Sequence, residues 1–154
     1  MSVPVLHAGA LDGVPHGFLG RRGGVSEGIV AGLNVGLGSQ DDRTAIAENR
    51  RRAVEAVLPG AKLVTLHQVH SPDTIAVTAP YPDDARPHAD ALATATPGLL
   101  LGILTADCAP VLLADRDAGV VGAAHAGWKG ALGSVTHSVV AAMETRPLHR
   151  PRVL

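Results

Sequence analysis

Apolar positions in this chain come in short runs that Gly, Pro and Asp keep interrupting. Leu99-Leu100-Leu101-Gly102-Ile103-Leu104, Val111-Leu112-Leu113 and Val120-Val121 read as buried strands. Between the last two, Asp115-Arg116-Asp117-Ala118-Gly119 has the composition of a tight hairpin loop. A hairpin returns the chain to where it started, which would bring His125 back beside Cys108. After His125 comes Ala126-Gly127-Trp128-Lys129-Gly130, and then Leu132, Val135, Val139 and Met143 recur at helical spacing. His125 is therefore expected at a strand end next to a helix N-terminus, a usual place for ligand-handling groups on an α/β scaffold. Pro147 is expected to end that second amphipathic helix.

The clearest first helix runs from Ser39 to Leu58. Ser39 with Asp42 fits a capping box. Ile46, Ala53, Val54, Val57 and Leu58 fall on one face, Arg50, Arg51 and Arg52 on or beside the solvated side, and Pro59-Gly60 stops the helix. Lys62 to Val69 reads as a strand, with Leu63 and Val69 on one face and Val64 and Leu66 on the other. His67 and His70 are three apart, so in a regular strand they face opposite ways. At most one of them should point into a given site, unless the chain bends between them. Ser71-Pro72-Asp73 supplies a turn, Thr74 to Thr78 a second short strand, and residues 79–88 a Pro- and Asp-rich surface loop. Ala89-Asp90-Ala91-Leu92 leads toward the central strands. Residues 14–38 are dense in glycine yet interrupted by apolar residues, as in loops that need close approaches or positive φ. Arg21 and Arg22 beside Gly23-Gly24 fit either an anion site or a solvated basic turn.

Composition narrows the function classes. The 154 residues suffice for one domain with a real core. Hydrophobic residues make up 46% and aromatic residues 2%, so that core must be built from Ala, Val and Leu. With 13 basic and 14 acidic residues the net charge is -1, which offers no general attraction to nucleic acid or anionic membrane. One cysteine cannot form an intramolecular disulfide, which fits a reducing compartment. Met1-Ser2-Val3-Pro4-Val5 lacks the regions of a signal peptide, and the apolar runs are too short to span a bilayer. The expectation is a soluble cytoplasmic protein.

Two imidazoles and one thiolate make a reasonable catalytic zinc set, because zinc takes N and S ligands tetrahedrally and catalytic sites keep one position open. No CxxC pair or HExxH helix is present, so such ligands would have to converge through the fold. On spacing alone Cys108 also reads as a buried apolar residue and His125 as a satisfied core or loop histidine.

Several separate pieces together carry a resemblance. They are HGFLGRRGGVS (His16–Ser26), GLNVG (Gly32–Gly36), ENR (Glu48–Arg50), QVHS (Gln68–Ser71), ADAL (Ala89–Leu92), TADCAPVLL (Thr105–Leu113) and AAHAGWKG (Ala123–Gly130). In this order they closely resemble the YfiH-type laccase-domain family, from about His16 to Met143. The resemblance implies an α+β fold, with mixed β-sheet layers flanked by helices, in a single domain over residues 1–145. Residues 146–154 are expected to form a disordered tail. It implies a zinc site from His70, Cys108 and His125, with copper as the alternative metal. Cys108 and His125 with Asp107 would form the catalytic group, Asp107 orienting a ligand, acting as acid or base, or capping a turn. Arg21 and Asn34 would lie on the substrate or phosphate side, or brace a Gly-rich loop.

The implied activity is that of a purine nucleoside phosphorylase, taking adenosine, inosine or methylthioadenosine with phosphate, and with adenosine deamination in the same site. A copper-dependent polyphenol oxidase and a cell-wall precursor editing factor are the other readings the family carries. Oligomeric state is left open. Lys129 stands where the family has Arg, which keeps charge but loses bidentate geometry. The match stops near Met143 while family members continue, so the chain is expected to be a truncated or frame-shifted form, incomplete at its C-terminus and marginal or inactive alone.

Overall fold

A computed structural model describes residues 2–145 and Leu148. The chain divides into two compact units, Met1–Ala61 and Lys62–Leu154.

The first unit holds a short antiparallel pair, β1 (Val5–Leu6) and β2 (Phe18–Leu19), and one long helix, α1 (Arg43–Val57). The helix starts later than the sequence suggests. Asp42 is the N-cap, its carboxylate accepting from the amides of Thr44 at 2.9 Å and Ala45 at 3.0 Å. Ser39 instead donates to the carbonyl of Gly36 and belongs to the preceding loop. Of the arginine triplet expected on or beside the solvated side, Arg50 is the exception. Arg50 is buried and donates to the carbonyl of Val35, and Arg52 donates to that of Gly23. The Gly-rich loop leaves carbonyls that need donors, and long guanidinium arms from α1 reach them. Only Arg51 of the three is exposed. Hydrogen bonds from Arg51 and then Arg52 lower the Glu48 carboxyl to about 2.

That loop is tightly folded. Gly23 and Gly32 have φ of 87° and 112°, a region that favours glycine. A Cβ on Gly24 would overlap the backbone of Gly32, and one on Gly32 the carbonyl of Arg21.

The second unit is built on a four-stranded sheet in the order β4-β5-β8-β7, with β4 at Thr74–Ala76, β5 at Ala91–Thr94, β7 at Ala109–Asp115 and β8 at Val120–Ala126. β4 and β5 are parallel, and β5, β8 and β7 are antiparallel in turn. β3 (Lys62–Val64) and β6 (Leu99–Leu101) form a separate parallel pair. The expected hairpin is present, pairing Ala109 with Ala126 at its open end and Asp115 with Val120 at the turn. Helix α3 (Val135–Glu144) sends Val135, Val139 and Met143 into a cluster with Ala91, Ala93, Val120, Ala124 and Leu148. The small residues of β5 and β8 permit close approach: a Cβ on Gly122 would come within 2.8 Å of Met143 Sδ and 2.9 Å of Val139 Cγ2. A second cluster joins Val64, Leu66, Val77, Ala89, Leu92 and Leu99. Both cores are made of Ala, Val, Leu and Met, as the lack of aromatics requires.

Two elements differ from the periodicity. The strand expected over Lys62–Val69 ends at Val64, because Tyr81 Oη and Arg86 take the carbonyls of Thr65 and Leu66 while His67 pairs with the 87–89 backbone. The helix expected through Leu132 and Met143 is broken into α2 (Trp128–Leu132) and α3 by Ser134, whose φ is 67°. The break shifts the phase, and Leu132 is exposed rather than part of the apolar face. Pro147 and the rest of the expected tail lie outside the described residues, apart from Leu148, which is buried. No helix among the described residues is long and apolar enough to cross a membrane.

Candidate metal centre

His70, Cys108 and His125 come together in the second unit, with one ligand atom from each lying within 4.8 Å of the others. Each arrives by a different route. His125 lies next to the end of β8, opposite Pro110 of β7, and is buried. Cys108 directly precedes β7, so the hairpin ladder carries it to the same end of the sheet. His70 sits outside any strand with a φ of 62°, a left-handed conformation uncommon for a residue with a Cβ. Its ring meets that of His125 edge to face, with centroids 4.9 Å apart.

Asp90, fully buried beside β5, joins these parts. One carboxylate oxygen accepts from the amides of Val69 and Ser71, at 3.0 and 2.8 Å, on either side of His70. The other lies 2.7 Å from Nδ1 of His125. Burial pushes this carboxyl up, but hydrogen bonds from His125, Ser71, Val69 and His70 together outweigh it, and the net shift is downward. Asp90 therefore stays an acceptor at neutral pH.

Gly127 closes the site from the other side. A Cβ there would stand 2.9 Å from Cδ2 of His70 and 3.1 Å from Sγ of Cys108. The absence of a side chain is what lets the HAGW turn pass so close to both.

The donor set fits a metal ion of the zinc or copper type. Tetrahedral zinc, with bonds of about 2.0–2.3 Å, spaces its ligand atoms by roughly 3.3–3.6 Å. A separation of at most 4.8 Å thus needs closure of about an ångström, within reach of two side-chain torsions. His125 is already directed by Asp90, as metal-binding imidazoles usually are.

Of the other residues singled out by sequence, Asp107 is exposed and its carboxylate stands 3.9 Å from Cys108 Sγ. His67 does not join the trio. Its ring stacks on His88 at 4.4 Å. In the first unit, exposed Arg21 donates to the carbonyl of Ala31 at 2.9 Å and lines a shallow groove with Ile29, Val30, Leu33 and Asn34. The amide of Asn34 is spent inside that unit: it donates to Ser39 Oγ and Asp41 and accepts from the amide of Gly36. The roles of Asp90 and Gly127 were not read from sequence. The signal for Asp90 was a carboxylate between Ala89 and Ala91 at the head of an apolar run, where burial demands partners.

The chain belongs to the family described as multi-copper polyphenol oxidoreductase laccase, whose model matches residues 15–154. Among curated proteins it is 48% identical over 142 residues to a purine nucleoside phosphorylase of Deinococcus radiodurans, covering 92% of this chain and 54% of that protein. It is 46% identical over 138 residues to purine nucleoside phosphorylase ORF3 of Streptomyces griseus, covering 88% of this chain and 56% of that one. The chain thus spans about half the length of the curated relatives it matches. The crystal structure of YlmD from Geobacillus stearothermophilus superposes with a TM-score of 0.83 at 36% identity, over 96% of this chain and 57% of that one. A Bacillus licheniformis protein, YfiH, gives 0.76 at 32% identity, over 85% of this chain and 52% of that one. The mixed α/β fold expected from the motifs is the fold of these neighbours.

Proposed function

We propose that His70, Cys108 and His125 hold a zinc ion, and that the chain carries the metal centre of a purine nucleoside phosphorylase. The observation that carries this is the convergence of the three ligand atoms within 4.8 Å in a chain so similar to proteins of that name. The reaction breaks the bond from C1′ of ribose to the purine nitrogen. Its electron pair leaves with the base, which takes up a proton, while a phosphate oxygen bonds to C1′ to give ribose 1-phosphate. Bound at the trio, the ion would supply Lewis-acid polarisation of a substrate atom. His125 and Cys108 present ligand atoms from the open end of the β7–β8 hairpin, and His70 from its left-handed turn. Asp107, exposed next to Cys108, is free to meet substrate as acid or base. Arg21 is proposed as a phosphate ligand, since guanidinium donors beyond the one given to Ala31 can pair with phosphate oxygens. Asn34 is proposed to hold the shape of its loop.

Two findings weigh on the alternatives. Reduction of O2 to water by a phenol oxidase normally needs several coppers, whereas one group of three ligating side chains converges among the described residues. The mixed imidazole and thiolate donors resemble those of zinc deaminases, so adenosine deamination is the second reading.

Incubation of the purified protein with adenosine and phosphate separates the phosphorylase from the deaminase. The expected result is phosphate-dependent ribose 1-phosphate that disappears with a chelator and returns with zinc. Inosine and ammonia without need of phosphate would favour the deaminase. Metal bound with no turnover of either kind would sink the phosphorylase reading for this chain. Arg21→Ala should raise the apparent KM for phosphate about tenfold or more, the scale of one lost charge-assisted contact. An unchanged value removes Arg21 from that role.

Gly127→Ala offers a separate check on the geometry. The backbone there has φ of -71°, which alanine adopts freely, so only the added methyl matters. It would displace His70 and Cys108, and zinc affinity should fall about tenfold or more while the melting temperature barely moves. Chelator competition and thermal denaturation measure the two effects, and unchanged affinity would mean that the ion does not sit among these residues.

A further inference from the structure

We propose that Asp90 is the positioning residue for both histidines of the trio, its two carboxylate oxygens doing separate jobs. The inference rests on the metal-centre reading above. Oδ1 gathers the segment around His70: the amide of Val69 at 3.0 Å, the amide of Ser71 at 2.8 Å and the Ser71 hydroxyl at 3.1 Å. The two amides flank His70, so Oδ1 fixes the turn whose left-handed centre aims that imidazole. Such a conformation persists only when its surroundings over-determine it.

Oδ2 sets the other ring. Asp90 already serves as an acceptor for the three donors on Oδ1, so the atom facing Oδ2, Nδ1 of His125, carries the proton of their contact. The lone pair is then on Nε2, the atom left for a metal. The main chain reinforces the link, since the carbonyl of Asp90 accepts from the amide of His125 at 2.7 Å. One buried residue thus ties the turn at His70 to the strand at His125.

An asparagine at this position would keep the volume and separate the jobs. Its single acceptor oxygen is wanted by three donors around His70. Its amino group is then turned toward His125, where it must donate. Nδ1 has to accept, the proton moves to Nε2, and the lone pair that would bind the ion is lost.

The test uses the whole chain, as wild type and as Asp90→Asn. Metal-free protein carrying 15N-labelled histidine is examined at a pH where the ring is neutral. Zinc affinity is then measured by chelator competition. Wild-type His125 is expected to show a protonated Nδ1 and a bare Nε2, the variant the reverse, with zinc affinity lower by about 10- to 100-fold. A role in packing alone would not reverse the tautomer. Wild-type His125 protonated on Nε2 overturns the proposal, as does a variant with the original tautomer and affinity. If Asp90→Asn does not fold, the wild-type spectrum still decides. If wild-type protein binds no zinc, the metal-centre reading falls by itself, while the tautomers still judge the hold of Asp90 on His125.

Discussion

Alanine at His70 is expected to lower zinc affinity by more than about 100-fold, whereas alanine at His67 should leave it unchanged. The two histidines are close in sequence and both exposed, so neither burial nor local composition separates them. The backbone does. His67 forms an isolated parallel β-bridge with His88 and stacks its ring there. His70 is turned through the left-handed region, and its ring meets His125. A three-ligand site that loses one ligand keeps two protein bonds, too few to hold zinc against water and buffer. Cys108→Ser and His125→Ala should therefore behave like His70→Ala, and any activity that depends on the ion should vanish with it. Elemental analysis of the purified variants gives occupancy, and competition with a chromophoric chelator gives affinity. A His70→Ala protein with wild-type zinc content would remove His70 from the centre, and loss of zinc in His67→Ala would place the wrong histidine in it.

The half of the site carried by the hairpin was legible because its logic is local. An Asp- and Gly-containing turn between two apolar runs fixes register, and register fixes which residues meet at the open end. Cys108 and His125 follow from that with no knowledge of the rest of the fold. His70 was less accessible to such reasoning. Strand periodicity sets it apart from His67 but does not say which of the two turns inward, and the strand on which that periodicity relies ends at Val64. What decides is Asp90, 20 residues further along, through hydrogen bonds that no pattern of apolar positions encodes. The broken second helix has a similar cause. Leu132, Val135, Val139 and Met143 share a helical period, yet Gly133-Ser134 lets the chain leave it for one residue and resume at a new phase. In the first unit, the capping box expected from Ser39 with Asp42 does not form, and Asp42 is itself the N-cap. The loop required Ser39 for its own carbonyl, which left the cap to Asp42.

Replacement of Asn49 should destabilise the first unit by about 2–4 kcal/mol. Asn49 is fully buried on α1 with its amide directed into the Gly-rich loop. Its oxygen accepts from the amide of Val25 at 2.8 Å. Its nitrogen donates to Ser26 Oγ and to the carbonyl of Asn34, each at 2.8 Å, and to that of Gly32 at 3.2 Å. Alanine would leave a cavity where Asn49 is buried and take the side-chain partner from the part-buried amide of Val25 and the carbonyl of Asn34. Asn49→Asp removes the donors without changing the volume. A carboxylate would then face the carbonyls of Gly32 and Asn34, so a loss of similar size is expected at neutral pH from unsatisfied acceptors and a buried charge alone. A loss in Asn49→Asp, which keeps the volume, would show that packing is not the sole contribution of Asn49. Urea unfolding gives the total, and hydrogen exchange read by peptide shows where it falls. Protection should drop across residues 14–57 and hold in β5, β7 and β8. An Asn49→Asp variant as stable as wild type would show that the loop is held by its glycines and by Arg52. Loosening confined to the first unit would instead mark Asn49 as the residue that keeps the loop of Arg21 and Asn34 in its present shape.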